Sequence, residues 1–215
     1  MINNERLISY INSLDMGNDE ILEEIESKAL ADNVPIIRKE TQSFLRTMVE
    51  LKRPKTILEA GTAVGFSAIL MALHGDENSH ITTMENYEKR IPVAKANFEK
   101  AKLTDRITLL EGDAVEIMAG LDGPFDMIFI DSAKGQYINM LESAIRLLPP
   151  GGLLISDNVL QDGEIIESRF AVTRRNRTIH TRMRDYLYEL THNEMLETTI
   201  IPMGDGLTVS VKKGK

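Results

Sequence analysis

The sequence predicts a doubly wound α/β fold of seven strands, with a C-terminal antiparallel hairpin and extra helices at the N-terminus. Three features point to it. From Thr56 onward, short apolar runs alternate with amphipathic stretches of helical length. The first fifty residues hold helical spacing and no strand. Near the end, Gly204-Asp205-Gly206 separates two strand-like runs, the pattern of a hairpin.

Asn18-Asp19 caps a segment with apolar residues at Ile21, Leu22, Ile25 and Leu30. Pro35 interrupts it, and a second helical pattern runs through Ile37, Thr41, Phe44, Leu45, Met48 and Leu51 until Pro54 stops it. Strands are expected at 56–59, 81–84, 107–110, 126–130 and 153–156, with helices at 65–74, 88–102, 114–121 and 136–148 between them. Strands alternating with such helices pair in parallel through right-handed crossovers. A helix over about 172–193 and strands at 198–201 and 207–211 complete the chain. No repeat or linker interrupts this order, so one domain over 1–215 is expected, with 1–53 as a helical addition.

Composition narrows the class. Of 215 residues, 42% are hydrophobic and 27% charged, as in soluble globular domains. There is no cysteine, which excludes disulfide frameworks, zinc ribbons, iron–sulfur clusters and thiol nucleophiles. The start, Met-Ile-Asn-Asn-Glu-Arg, lacks the apolar segment of a secretory leader, and the longest apolar run, Ala68 to Leu73, is too short to span a bilayer. A cytoplasmic protein without a membrane partner is expected. The net charge of −8 is unevenly spread: residues 1–33 hold eight acids and two bases, whereas 169–184 hold six arginines and no acid.

Open α/β sheets bind ligands beyond the carboxyl ends of their strands. The first strand ends in Glu59-Ala60-Gly61-Thr62-Ala63-Val64-Gly65-Phe66-Ser67. Its glycines fit neither Gly-x-Gly-x-x-Gly nor a P-loop. The carboxylate before Gly61 would repel a pyrophosphate and favour a cation carrying an amino group and a sulfonium; the alternative is an ordinary strand–helix turn. Glu85 ends the second strand, suited to ribose hydroxyls, and Glu111-Gly112-Asp113-Ala114 ends the third, suited to adenine. Asp131 and Asp157-Asn158 end the fourth and fifth. Two carboxylates and an amide are hard oxygen donors that suit Mg2+; otherwise Asp131 is a helix cap and Asp157-Asn158 a turn. His74, His80, His180 and His192 have no zinc spacing and read as surface or structural residues.

These motifs, with Phe129-Ile130-Asp131-Ser132-Ala133-Lys134-Gly135-Gln136-Tyr137 and Ser156-Asp157-Asn158-Val159-Leu160, resemble the metal-dependent O-methyltransferases of the catechol and caffeoyl-CoA type. The resemblance covers nearly the whole chain and lies nearest the bacterial branch that converts 5-hydroxyuridine to 5-methoxyuridine at the tRNA wobble position. It implies a Rossmann-like methyltransferase fold, S-adenosyl-L-methionine as cofactor, Mg2+ or another divalent cation, a tRNA anticodon stem-loop as partner, and a homodimer. Residue by residue, it implies Asp131, Asp157 and Asn158 as metal ligands. Ile37, Glu59, Gly61, Ser67, Glu85, Asp113, Ala114 and Asp131 would hold the cofactor, and Lys134, with Asp131, would be catalytic. Ser132 and Ala133 are smaller than the catechol enzymes' residues there and suit a larger or differently shaped acceptor.

Lys134 near a metal and a sulfonium would lose its proton more readily and serve as general base; without the motif it would read as a solvated loop lysine. Catechol and 5-hydroxyuridine each offer two adjacent oxygens to one metal, so selection must come from elsewhere. On an ideal helix Arg174, Arg175, Arg177, Arg182 and Arg184 share one half of the cylinder, opposite Val172, Ile179, Met183, Tyr186, Leu187 and Leu190. This row fits RNA phosphates; alternatively it is a solvated face, or pairs with the acidic N-terminal helices in a dimer. A small-molecule enzyme for catechol-like or caffeoyl-CoA-like diols, and a non-catalytic nucleoside- or RNA-binding protein, are the other functional readings.

Overall fold

Met127–Ile130 and Leu153–Ser156 are strands in which every residue is buried. Strands buried on both faces belong to a sheet covered by helices on both sides, which parallel crossovers supply. The structure, a computed structural model, describes residues 5–214; most of the polar start of the chain lies outside the described residues.

The chain divides into two compact units, Met1–Asp113 and Ala114–Lys215, and the 1–53 helical segment belongs to the first. In the first unit, α1 (Glu5–Ser13), α2 (Glu20–Ala31) and α3 (Lys39–Lys52) precede β1 (Thr56–Ala60), α4 (Phe66–His74), β2 (His80–Glu85), α5 (Ile91–Lys100) and β3 (Ile107–Glu111). β2 pairs in parallel with both β1 and β3. The second unit holds α6 (Ala114–Gly120), β4 (Met127–Ile130), α7 (Tyr137–Leu147), β5 (Leu153–Ser156), α8 (Arg177–His192), β6 (Leu196–Ile201) and β7 (Leu207–Lys212). β4 and β5 are parallel, whereas β7 runs antiparallel to both β5 and β6. The strands of the first unit follow the order β3-β2-β1 and those of the second β4-β5-β7-β6, seven in all, mixed in direction and ending in the expected hairpin. No helix among the described residues is long and apolar enough to cross a membrane.

The expected helix over 172–193 begins only at Arg177. The preceding segment closes two local turns, Ala171 N–H to the Ser168 carbonyl at 2.8 Å and Asn176 N–H to the Thr173 carbonyl at 2.9 Å. These turns satisfy its backbone without a helix, while Val172 is buried as an anchor. Short 3-10 turns at Lys134–Gln136 and Gln161–Ile166 also depart from the expected elements; positive φ at Asp162 and Gly163 kinks the second.

Helix α4 explains the second glycine of the first strand end. Phe66 through Ala72 are buried, so α4 must enter the core tightly. Gly65 begins it at φ +86°, and a Cβ there would lie 2.4 Å from Phe98 Cε1. Backbone strain and overpacking therefore act together. Gly65→Ala is expected to destabilise the protein by about 2–4 kcal/mol, read as a lower urea midpoint at unchanged slope.

Candidate functional site

In the first unit, the ends of β1 and β2 meet through side chains. Glu59 is fully buried; Ser67 Oγ donates to its Oε1 and Thr83 Oγ1 to its Oε2, both at 2.5 Å. Thr62 and Thr83 hydroxyls lie 2.6 Å apart and extend this network. Glu59 is thus a buried charge held by hydroxyls, which fixes the helix start at Ser67 against β1. Glu85 accepts three backbone N–H groups: Ala63 at 2.8 Å on Oε2, and Asn86 and Tyr87 at 3.0 and 2.9 Å on Oε1. It clamps the 61–65 loop to the 86–87 loop and leaves fewer acceptor positions for a ribose than its place in the sequence suggests. Gly61, at φ +105°, gives its N–H to the Met84 carbonyl at 3.1 Å. Gly112 N–H donates to the Glu85 carbonyl at 2.9 Å, which brings the partly buried Asp113 to the neighbouring strand end. Ile37 is buried before α3, and its carbonyl accepts from Gln42 Nε2 at 3.0 Å. Its hydrogen bonding ties it to the N-terminal helices and not to these loops.

Ala114 opens α6 in the second unit, where the acids of β4 and β5 also lie. The β4–β5 register sets Ile130 beside Ser156, so Asp131 and Asp157 follow neighbouring strands. Asn158, at φ +62°, turns back across them: its Nδ2 donates to Asp131 Oδ1 and its N–H to Asp157 Oδ1, both at 2.7 Å. Tyr137 Oη donates to the Asp157 carbonyl at 3.0 Å and holds the turn from below. The fold therefore brings together the three oxygen donors read from the sequence.

Burial pushes the Asp131 carboxyl up to about 6, with Asn158 and Lys134 opposing. Burial first, and then the Asp131 charge, push Asp157 up to about 7. Two acids in one low-dielectric site resist ionising together, and a cation relieves that cost. Among the described residues no set of three or more acids and histidines is arranged to hold a metal. The donors present are two carboxylates and one amide, a set that fits a hard divalent ion completed by water or substrate oxygens. For the metal-free chain, the raised values mean that the folded state keeps protons the unfolded chain releases. That favourable contribution is fully present below the ordinary aspartate value of 3.8 and is lost as pH rises through about 6 and about 7. The melting temperature without metal is expected to fall between roughly pH 4 and pH 7 and to level off above that, and Asp157→Asn to flatten that fall.

Lys134 Nζ donates to Asp205 Oδ2 at 2.8 Å. Asp205 is buried in the turn between β6 and β7, and its other oxygen accepts the Asp162 N–H. Sequence reasoning along the strand ends misses Asp205, because Gly-Asp-Gly is sufficiently explained as a turn. The available signal is topological: antiparallel pairing sets Thr208 beside Ser156, and so places that turn next to Asp157.

A profile of the O-methyltransferase family matches residues 12–213. The chain belongs to this family. It is 39% identical to the catechol O-methyltransferase of Niastella koreensis over 58% of each chain. It is 30% identical to caffeoyl-CoA O-methyltransferase 1 of Eucalyptus globulus, over 82% of this chain and 74% of that one. An O-methyltransferase from Bacillus cereus, solved in complex with SAH, superposes with a TM-score of 0.84 at 27% identity, covering 95% of this chain and 96% of that one.

In this O-methyltransferase the five expected arginines do not share one helix face. Arg174 and Arg175 lie in the turn before α8, Arg177 is its first residue, and only Arg182 and Arg184 lie further along it. Val172 is off the helix too, while Met183, Tyr186 and Leu190 form its buried side. Arg182 Nη1 donates to the Gly135 carbonyl at 3.0 Å, next to Lys134. His180 is buried with neither ring nitrogen partnered among the described residues, and His80 pairs with Thr108 at 2.8 Å. His192 stacks on Tyr188, and burial holds His74 below the usual imidazole range.

Proposed function

We propose that the chain transfers the methyl group of S-adenosylmethionine to the 5-hydroxyl of 5-hydroxyuridine at the wobble position of tRNA, giving 5-methoxyuridine. Asp131, Asp157 and Asn158 would hold a divalent cation such as Mg2+. The observation that carries the reading is their cluster: the buried Asp157 and the partly buried Asp131, linked through one asparagine that lies 2.7 Å from each. A divalent cation bound there supplies a Lewis acid that stabilises the acceptor oxygen in its deprotonated form and fixes its direction.

The chain's own residues do the rest. Glu85 and the loop glycines shape the turn that takes the nucleoside of the donor, and Glu59 holds that turn to α4. The SAH held by the Bacillus cereus relative supports this choice of donor. Lys134 Nζ, in its neutral amine form after releasing a proton to solvent, takes the proton of the acceptor hydroxyl, and Asp205 holds the resulting ammonium. The acceptor oxygen gains the methyl carbon as the carbon–sulfur bond breaks, leaving a neutral thioether. Exposed Arg169, Arg174 and Arg175, which carry no hydrogen bond or ion pair among the described residues, support a polyanionic acceptor. The same charge contrast with residues 1–33 supports a homodimer.

The second reading is a small diol acceptor, favoured by the relatives' names. Incubation with S-adenosylmethionine and Mg2+ separates the two. 5-Methoxyuridine is expected by mass spectrometry from 5-hydroxyuridine-containing tRNA. Methylated catechol with unchanged tRNA would establish the small-molecule reading instead.

A further inference from the structure

Phe170 is 80% exposed and Ile166 82% exposed, four residues apart in the segment that leads from the acid cluster to α8. A singly exposed apolar side chain is ordinary on a protein surface. This one is held in place. The Arg177 guanidinium lies over the Phe170 ring, 5.8 Å from its centroid, and Arg177 Nη2 donates to the Phe170 carbonyl at 3.5 Å. Arg184 Nη1 reaches the Glu167 carbonyl at 3.5 Å, so α8 grips the segment at two points. Arg177 Nε is buried without a hydrogen-bond partner among the described residues, so the side chain is committed to this position at some cost.

The segment also joins the reaction site. It follows Asn158 through the turn whose Asp162 N–H is held by Asp205. Arg182 of the same helix fastens Gly135, beside Lys134. Arg169, Arg174 and Arg175 surround the ring in sequence with exposed, unpaired guanidiniums.

We propose that Phe170, backed by Arg177, is a stacking platform for an unpaired nucleobase next to the methylated nucleotide. This rests on the tRNA reading above and adds a base-binding residue to it. Single-stranded RNA is recognised by bases stacked on aromatic rings and guanidinium planes, with neighbouring cations on the backbone. One face of Phe170 is taken by Arg177, and the exposure of the ring leaves the other for a base. The basic surroundings favour a nucleic acid over an apolar protein segment, which would leave the guanidiniums unpaired.

The test is equilibrium binding of a 5-hydroxyuridine-containing anticodon stem-loop to Phe170→Ala, Phe170→Leu, Phe170→Trp and Arg174→Ala/Arg175→Ala across a salt series, beside wild-type tRNA methylation. Phe170→Ala and Phe170→Leu are expected to weaken binding roughly 5- to 150-fold with an unchanged salt slope, and Phe170→Trp to restore it. The double arginine variant is expected to lower the salt slope by about 1.4. Wild-type affinity in Phe170→Ala alongside active tRNA methylation would overturn the platform and leave the tRNA reading standing. A wild type that neither binds the stem-loop nor methylates tRNA would remove both. Loss of self-association in Phe170→Ala, with RNA affinity intact, would assign the patch to a second copy of the chain and overturn the proposal.

Discussion

Asp157→Asn is expected to reduce methyl transfer more than about 100-fold, the upper range of losses from mutating a group that only supports metal ligands. Asparagine keeps an acceptor for the Asn158 N–H and so preserves the turn, but it removes half of the charge that attracts a cation. The same change relieves a buried acid that burial and the Asp131 charge already push up to about 7. Stability of the metal-free chain near pH 8 is therefore expected to rise while activity falls. Parallel thermal melts and single-turnover assays check this. Loss of both would mean that Asp157 serves the fold, and retention of both would remove it from the reaction.

Lys134→Met is expected to cost about 10²- to 10⁴-fold in turnover, the usual contribution of a positioned acid–base group. The informative partner is Lys134→Arg. Arginine can keep the ion pair to Asp205 but cannot give up its proton, so its loss should match that of methionine. If Lys134→Arg remains active, the residue only anchors Asp205. Asp205→Asn, which leaves Lys134 without its charged partner, is expected to give an intermediate loss and a displaced pH–rate profile.

Much of the fold and the site is legible in the sequence because certain residues can serve few alternative roles. An aspartate closing Phe129-Ile130 or Ile155-Ser156 puts charge at the end of a fully buried strand. Such a residue declares a partner in advance. The alternation of elements is equally plain, since Met127–Ile130 and Leu153–Ser156 lack the polar alternation of a half-exposed sheet. Asp205 is not legible: its lysine partner lies 71 residues away, and only the hairpin's register brings the two together. Glu85 is legible as an acid at a strand end, but its three backbone donors depend on loop conformations that spacing does not specify. The arginine row is shorter than its periodicity implies, because the apolar period continues through Val172, whose burial serves a turn and not a helix.

The proposed chemistry rests on a cation site formed by Asp131, Asp157 and Asn158. Titration of Mn2+ into the protein, followed by the electron paramagnetic resonance of the free ion, probes that site without any acceptor present. One tight site per chain is expected near pH 8. Protonation of carboxyls pushed up to about 6 and about 7 should weaken it steeply toward pH 5, and Asp157→Asn should abolish it. Equal Mn2+ binding by wild type and Asp157→Asn, independent of pH over that range, would show that no cation is held there.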